Sequence, residues 1–477
     1  YGKKKMPRAS SSCFRWWSSP VGQTVVLGVI FFLIFAAFYV LQGLAALLLG
    51  PALASNALAT LYAVFTGACL YAPYVVNRYG PRVSLRLGIL GFCALSVATL
   101  VNSYRPSKSA VIFGGALNGL GAAILWTAQG RLMLANGNHF AVFWSLFNAS
   151  AVVGGVATFV YASTSKDPEN SDPKNSAALF GSFVVLMGLG ALCTVFLSKD
   201  NNNDEHHQEE EKVQRQAAAE VKATVKLLLT RHSAALGCLY FYTGFNQPYQ
   251  LDLFGDRYFS KKVVGLELAL FYGMSVVAGK VAERCLAAKR PRRAAASRTL
   301  SLFALTSAAA FGLAAKVVVK DTDDNILVAT LAFALWGFSS SVAQAYCYWL
   351  VDILYEDDDD KSQDVVVARA VALYKLIQSF GWCVGFALLP VQRCPRLVQF
   401  LLNAVSCGLG FLLALCRLPG DDSLRRRRKK AKKNNLNIDA PLLLAAPPPG
   451  GDYSASDDAS RLDDDDDDDD SSAAAAA

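Results

Sequence analysis

The chain has 477 residues, of which 53% are hydrophobic before glycine is counted and 18% are charged. Soluble chains average about 45–50% apolar with glycine included and about 25% charged, so an ordinary soluble enzyme and a wholly disordered chain are both excluded. The net charge of +8 is unevenly spread: no acidic residue precedes Asp167, and Lys and Arg cluster beside apolar runs, the pattern of membrane topology rather than of a nucleic-acid surface.

Taken in chain order, residues 1–20 read as a basic cytoplasmic N-terminus. The apolar run that follows is longer than the about 7–15 residues of a signal-peptide core and reads as a first transmembrane helix. Hydropathy predicts twelve spans: 21–43, 54–76, 84–102, 109–133, 139–162, 177–197, 232–250, 263–286, 298–318, 325–351, 366–390 and 396–416. Turn-forming or polar stretches such as Gly50-Pro51, Asn77–Arg82 and Lys166–Asn175 separate them. Inside lipid each backbone polar group must be satisfied within its own segment, so every span is expected to be helical.

Placing most Lys and Arg on the inside puts both termini in the cytoplasm. The widest interruption, 198–231, is polar and then amphipathic, and it divides the spans six and six. The expected architecture is all-α: an N-terminal six-helix bundle (21–197), a cytoplasmic central loop (198–231), a C-terminal six-helix bundle (232–416) and a disordered cytoplasmic tail (417–477). Two pseudo-symmetric halves about a long loop are the major facilitator layout.

Several polar residues fall at depths where lipid contact is costly. Gln42, Trp126, Gln129 and Asn148 in the first half, and Asn246, Lys375 and Gln378 in the second, are the candidates for lining a central cavity. Trp126 and Gln129 share a helix face one turn apart. Lys375 lies nine residues into its span, roughly 13 Å deep at 1.5 Å per residue. An ammonium there costs about 2.5–3.5 kcal/mol on insertion scales, so it is expected to face the interior with a partner, and Gln378 is one turn on. Structural readings stand beside these: Asn148 as an interhelical hydrogen bond, Lys375 as half of a buried pair. Gly115/Gly119 and Gly381/Gly385 each form a G-x-x-x-G close-approach motif.

Glu267 is expected near an interface, and Lys280 and Glu283, three apart, as a plain ion pair. The first six spans contain no Asp or Glu, which excludes proton coupling through an acidic residue of that half. Nine of the eleven cysteines fall in or at the ends of apolar segments and no CxxC pair occurs, so they read as small buried hydrophobes. His206-His207 with nearby acids gives no fixed metal geometry. No nucleophile elbow, phosphate loop or dinucleotide motif is present. Neither a cofactor nor enzymatic activity is expected. In the tail, Asp439 with Leu442 and Leu443 fits an acidic dileucine sorting signal as well as it fits chance.

The loop after the second span, with Asn77, Arg78, Gly80 and Arg82, resembles the G-x-x-x-D-R-x-G-[RK]-[RK] gating loop of major facilitator proteins. Pro73 replaces its first glycine and Asn77 its aspartate, so the gating pair lacks its carboxylate; the same residues also suit a plain positive-inside turn. Leu120–Gly130 (with Trp126-Thr127-Ala128-Gln129-Gly130), Phe143–Gly155, Tyr249–Phe259 and Tyr374–Gly381 together resemble the Unc-93-like family, a divergent branch of the major facilitator superfamily. The resemblance runs through most of residues 21–416 and implies a twelve-helix facilitator fold without implying a substrate. Members of the family are associated with regulating potassium channels and with escorting innate immune receptors to endosomes, while many are called transporters.

Two functions follow as expectations. One is alternating-access transport of a small solute, anionic if Lys375 meets it. The other is a non-transporting regulator or trafficking chaperone of ion channels or receptors, favoured by the lost aspartate and the carboxylate-free first half. The expected partners are the lipid bilayer and either a solute or another membrane protein, with no nucleic acid. Plasma membrane and endolysosomal or vacuolar membrane fit equally.

Overall fold

The computed structural model of the chain describes residues 17, 19–136, 139–164, 173–198, 210–260, 263–287, 291–319, 325–354, 360–388 and 395–418. Residues 1–424 form one compact unit and 425–477 another. The second unit, with the dileucine stretch, lies outside the described residues, as do His206-His207 and most of the basic N-terminus.

The N-terminal half begins with α1 (Pro20–Leu49), capped where Ser19 Oγ accepts from Gly22 N at 3.1 Å. Gly50 then turns the chain into α2 (Pro51–Ala68). The next helical segment, α3 (Ala72–Tyr104), bends at Gly80, whose φ of 76° and ψ of 157° no helix contains. Such a backbone favours glycine, and Pro81 restarts a helix behind it. Residues 72–79 therefore prolong the second span, and 81–104 are the third. There follow α4 (Lys108–Ala135), α5 (Phe140–Thr164) and α6 (Pro173–Cys193).

After the polar linker, α7 (Glu210–Leu228) is amphipathic. The C-terminal half opens with α8 (Arg231–Gln247), which runs without a break through a π-helical segment, Pro248–Phe254, into α9 (Gly255–Tyr258). It continues with α10 (Val264–Leu286), α11 (Arg292–Val318), α12 (Ile326–Leu354), α13 (Asp360–Leu388) and α14 (Arg396–Leu415).

Ten helices among the described residues are long and apolar enough to cross a membrane, and α2 is a shorter apolar one. The α8–α9 rod completes twelve; Asn246, Gln247, Gln250 and Asp252 dilute its hydropathy. Large apolar side chains such as Phe113, Val185 and Leu305 are exposed on the outer helix faces, as lipid contact allows. The chain is a multi-pass integral membrane protein.

Packing repeats across the two halves. In the first, α1 packs on α5 and α6, α2 on α4, and α3 on α4 and α6; in the second, α8 packs on α13 and α14, α10 on α12, and α11 on α12 and α14. Each helix of one half thus meets the counterparts of its equivalent's neighbours. Lipid tails are as apolar as leucine, so close packing of small residues, not hydrophobicity, drives these contacts. Gly115 and Gly119 lie against α2, and Gly381 and Gly385 against α8.

The halves meet along α5–α10 and α2–α13, with α4 also on α13. At α5–α10 the approach is backbone to backbone: a Cβ on Gly155 would stand 2.7 Å from Gly265 O, and one on Gly265 would stand 2.6 Å from Gly155 O.

Hydrogen bonds gather several helix ends on one side. Gln23 at the start of α1 bonds Phe196 O and Ser198 N. Arg82 donates to Thr194 O and Val195 O, and Arg86 to Thr194 Oγ1, just past α6. On the same side Arg369 of α13 holds Glu220 of α7 in a two-pronged ion pair, both contacts 2.7 Å.

Three expectations are corrected. The seventh span does not stop at 250 but continues to Tyr258. Helix α13 begins at Asp360, six residues before the span read from 366. Lys280 and Glu283 are both exposed and form no ion pair, because in water a single pair gains too little to hold two long side chains.

Candidate functional site: a cavity between the two bundles

A cavity lies between the bundles, enclosing about 920 Å³ of empty space including its open mouth. Its two walls differ. The N-terminal wall is aromatic. Phe35 meets Trp126 at 5.4 Å and Phe147 at 5.0 Å, and Phe147 meets Trp126 at 5.3 Å and Trp144 at 5.0 Å, three of the four pairs edge to face. Such rings prefer edge-to-face or offset contact, and interlocked in this way they form a stiff surface. Gln42 and Asn148 add polar groups to it; Asn148 Nδ2 donates to Trp144 O at 2.9 Å, within its own helix.

The C-terminal wall carries the charge. Lys375 is 1% exposed and lines the cavity. Its Nζ donates to Gln378 Oε1 at 2.8 Å and stands 4.1 Å from the Trp126 ring, 5.2 Å from Tyr374 and 5.3 Å from Tyr348. Three ring faces around one ammonium make an aromatic cage, and a desolvated cation over one ring gains about 2 kcal/mol or more. Gln378 is fixed in turn, its Nε2 donating to Thr243 Oγ1 and Tyr374 OH, both at 3.1 Å. Among the described residues Lys375 has no carboxylate partner.

Contacts cross between the bundles at two levels. Toward the α7 side, Lys375 sits over Trp126 and Tyr348 OH donates to Gln129 Oε1 at 3.3 Å. Farther along, Tyr62 stacks on Phe386 at 5.2 Å, Tyr39 meets Tyr272 at 5.0 Å, and Thr66 Oγ1 donates to Ser379 Oγ at 3.0 Å.

Of the seven residues read from the sequence as cavity candidates, Gln42, Trp126, Asn148 and Lys375 line it. Gln129 and Gln378 stand one layer behind, holding Tyr348 and Lys375. Asn246 is fully buried and does not line the cavity. It belongs to a stripe running from α8 into the π-helical segment, Tyr242, Asn246 and Gln250, that faces into the C-terminal bundle. The Tyr242 hydroxyl lies near Asn246, Gln250 and the Cys407 thiol of α14, and that thiol lies near Ser307 of α11. Spacing of four residues shows that these share a face; it does not say which neighbour the face meets.

At the loop after the second span, Gly80 makes the turn and Arg82 ties it to the end of α6. Arg78 lies 6.0 Å from its neighbour's ring, Tyr79. Asn77 Oδ1 accepts from Arg131 Nη1 at 3.4 Å, and the same nitrogen reaches Val76 O at 3.4 Å. At this contact Arg131 faces a neutral amide, not a carboxylate. Sequence reading missed Arg131, which sits at the end of its span like any positive-inside residue. Glu267 stands in the first turn of α10, near the helix end as expected, but it is covered by α12: it is 6% exposed and accepts from Thr330 Oγ1 at 3.0 Å.

A second missed residue is Asp252, in the π-helical segment and in the cavity wall. Pro248 reads as a helix stop in sequence; here it opens the π segment, and the rod carries Asp252 inward. Leu251, Leu253 and Phe254, apolar beyond the proline, were the available signal. Among the described residues no group of three His, Cys, Asp or Glu could hold a metal.

Two packed six-helix halves around a cavity define a major facilitator fold. Solved structures agree in fold: a proton:xylose symporter from E. coli superposes with a TM-score of 0.62 at 12% identity, covering 87% of this chain and 99% of that one. The human organic anion transporter MFSD10 does so with a TM-score of 0.57 at 14% identity, covering 83% and 100%. Within that fold the lineage is specific. The profile described as "Ion channel regulatory protein UNC-93" matches residues 55–413, and the chain belongs to the UNC-93 family. It is similar to UNC93-like protein 1 of Arabidopsis thaliana, 25% identical over 417 residues, which cover 82% of this chain and 88% of that one.

Proposed function

We propose that the protein moves a small solute across its membrane by alternating access, binding it in the cavity between the bundles. The observation that carries this reading is the caged lysine: Lys375 lines a cavity shared by both halves, is almost wholly buried, and has a glutamine and aromatic rings as its partners. A buried cation without a carboxylate is costly, and a solute bearing a carboxylate or another anion would complete it. The two tiers of contacts between the bundles are those that rocking would break in turn. In this reading the α7 side, with Arg78, Arg82 and Arg86, faces the cytoplasm together with both termini. In this reading the solute crosses chemically unchanged.

A second reading is a regulator or chaperone of channels or receptors that uses the same fold without transport. The observation favouring it is the neutral Asn77–Arg131 contact, where a gating pair would carry opposite charges. The name of the matching family profile points the same way for other members.

The test is a thermal-unfolding screen of the purified full chain in detergent against small mono- and dicarboxylates, with Lys375→Ala beside the wild type. A ligand at about a hundred times its Kd stabilises the form it binds by about 2.7 kcal/mol. Saturable stabilisation of the wild type, absent from the variant, is the expected result. A well-folded variant and a wild type that no anion stabilises would turn the assignment to the regulator.

A further inference from the structure

The cavity holds two charged residues of opposite sign among those that line it, Lys375 and Asp252, and they stand at different heights. Lys375 Nζ bonds Gln378, and Gln378 bonds Thr243, so the ammonium lies level with Thr243 on α8. Asp252 is nine residues farther along the same rod. At 1.5 Å per residue that is about 13 Å, and somewhat less where the helix widens, so the charges are separated by on the order of 10 Å. The offset runs away from the α7 side. Tyr62 and Tyr272 share the cavity wall with Asp252. Beside the two charges the cavity wall is mainly aromatic, with Phe35, Trp144, Phe147 and Trp382 among its residues.

We infer that the solute is an elongated zwitterion: a carboxylate meets Lys375, an ammonium meets Asp252, and an apolar or aromatic body lies along the rings between them. This rests on the transport reading above and narrows it to a substrate class. The two protein charges are too far apart to bond each other, and the aromatic spacer offers no third charge to bridge them. A single α-amino acid carries its charges on one residue and cannot touch both ends. An extended chain covers at most about 3.3–3.6 Å per residue. After a hydrogen-bond length of about 3 Å at each end, about 4–7 Å remains, which two residues, bent or extended, span over its whole range, so the fitting length is that of a dipeptide. The N-terminal half adds no acidic side chain to the cavity, so the polarity is fixed: the ligand's positive end lies away from the α7 side.

The test uses the full chain in detergent and the probe alanyl-phenylalanine. It is compared with its N-acetyl form, which keeps only the carboxylate, with its C-terminal amide, which keeps only the ammonium, and with phenylalanine and a tetrapeptide. Affinities are read from the concentration dependence of the melting midpoint. The dipeptide is expected to bind at least about tenfold tighter than every other probe, since each loses a charged hydrogen bond or misfits in length. In Asp252→Asn the dipeptide and its N-acetyl form become equal; in Lys375→Gln the dipeptide and its amide do. The probes read on wild type alone keep the comparison decisive if either variant fails to fold. If the N-acetyl form binds wild type as tightly as the dipeptide, the zwitterion is overturned while a Lys375-centred anion site stands. If only the amide binds, both the zwitterion and the anion site fall in favour of a cation at Asp252. If no probe shifts the midpoint but a simple carboxylate does, the inference is wrong and the transport reading survives; if nothing shifts it, both are wrong.

Discussion

The two bundles share one packing scheme and divide the work of the cavity unequally. The N-terminal bundle presents interlocked rings and, across its six spans, no acidic residue. The C-terminal bundle presents Lys375, Asp252 and the glutamine network, on α13 and on a rod that passes through a π segment. Shape comes from one side and charge from the other. A repeat can therefore be kept in backbone and lost in chemistry, because helix packing depends on small residues at contacts, whereas the cavity depends on a few long side chains.

The contrast breaks first at the aromatic wall. Trp126→Ala removes a ring that touches Phe35, Phe147 and Lys375 together. It is expected to cost about 3–5 kcal/mol, read as a fall in melting midpoint larger than that of any other single substitution in the cavity wall; an effect below that of a single polar cavity residue would deny the N-terminal bundle its shaping role. Gly265→Leu, at the seam both halves share, forces the backbones apart and is expected to cost about 1–3 kcal/mol. Size-exclusion profiles and melting midpoints check it, and an unchanged midpoint would mean the halves do not touch there.

Lys375→Met sharpens the contrast by its sign. Exchanging the caged ammonium for a neutral chain of similar length removes a burial cost of about 2.5–3.5 kcal/mol and forfeits a cation–ring gain of about 2 kcal/mol. The ligand-free protein is expected to be as stable as wild type or slightly more so, while stabilisation by carboxylates disappears. A large loss without ligand would instead mark Lys375 as a structural post. The smallest effect is expected from Asn77→Asp, which places a carboxylate at an existing Arg131 contact and should add about 0.2–1 kcal/mol. A fall in stability would show that the neutral pair is tuned to its site.

Much of this was legible in the sequence, and the rest was hidden for identifiable reasons. Long apolar runs gave the spans and the six-and-six division, since a bilayer imposes one length scale on every crossing. The depth of Lys375 and its turn-spacing to Gln378 gave a buried bonded pair. Asp252 was hidden because a proline inside a span is ambiguous until neighbouring helices show whether the rod goes on. Asn246 was assigned to the wrong chamber because periodicity fixes a face of α8 and not what α8 packs against. Glu267 kept its place near the helix end, but its cover by α12 is a matter of tertiary contact that the span alone does not carry.

The glycine pair between α5 and α10 has a mechanical consequence. At the two tiers side chains interlock, and separating them means abandoning a ring stack or a hydrogen bond. At Gly155 and Gly265 bare backbone rests on bare backbone, so nothing must change rotamer for one bundle to roll on the other. That spot is suited to act as a fulcrum. The tiers of contact on either side of it would then behave as the two pans of a balance, one lifting as the other settles.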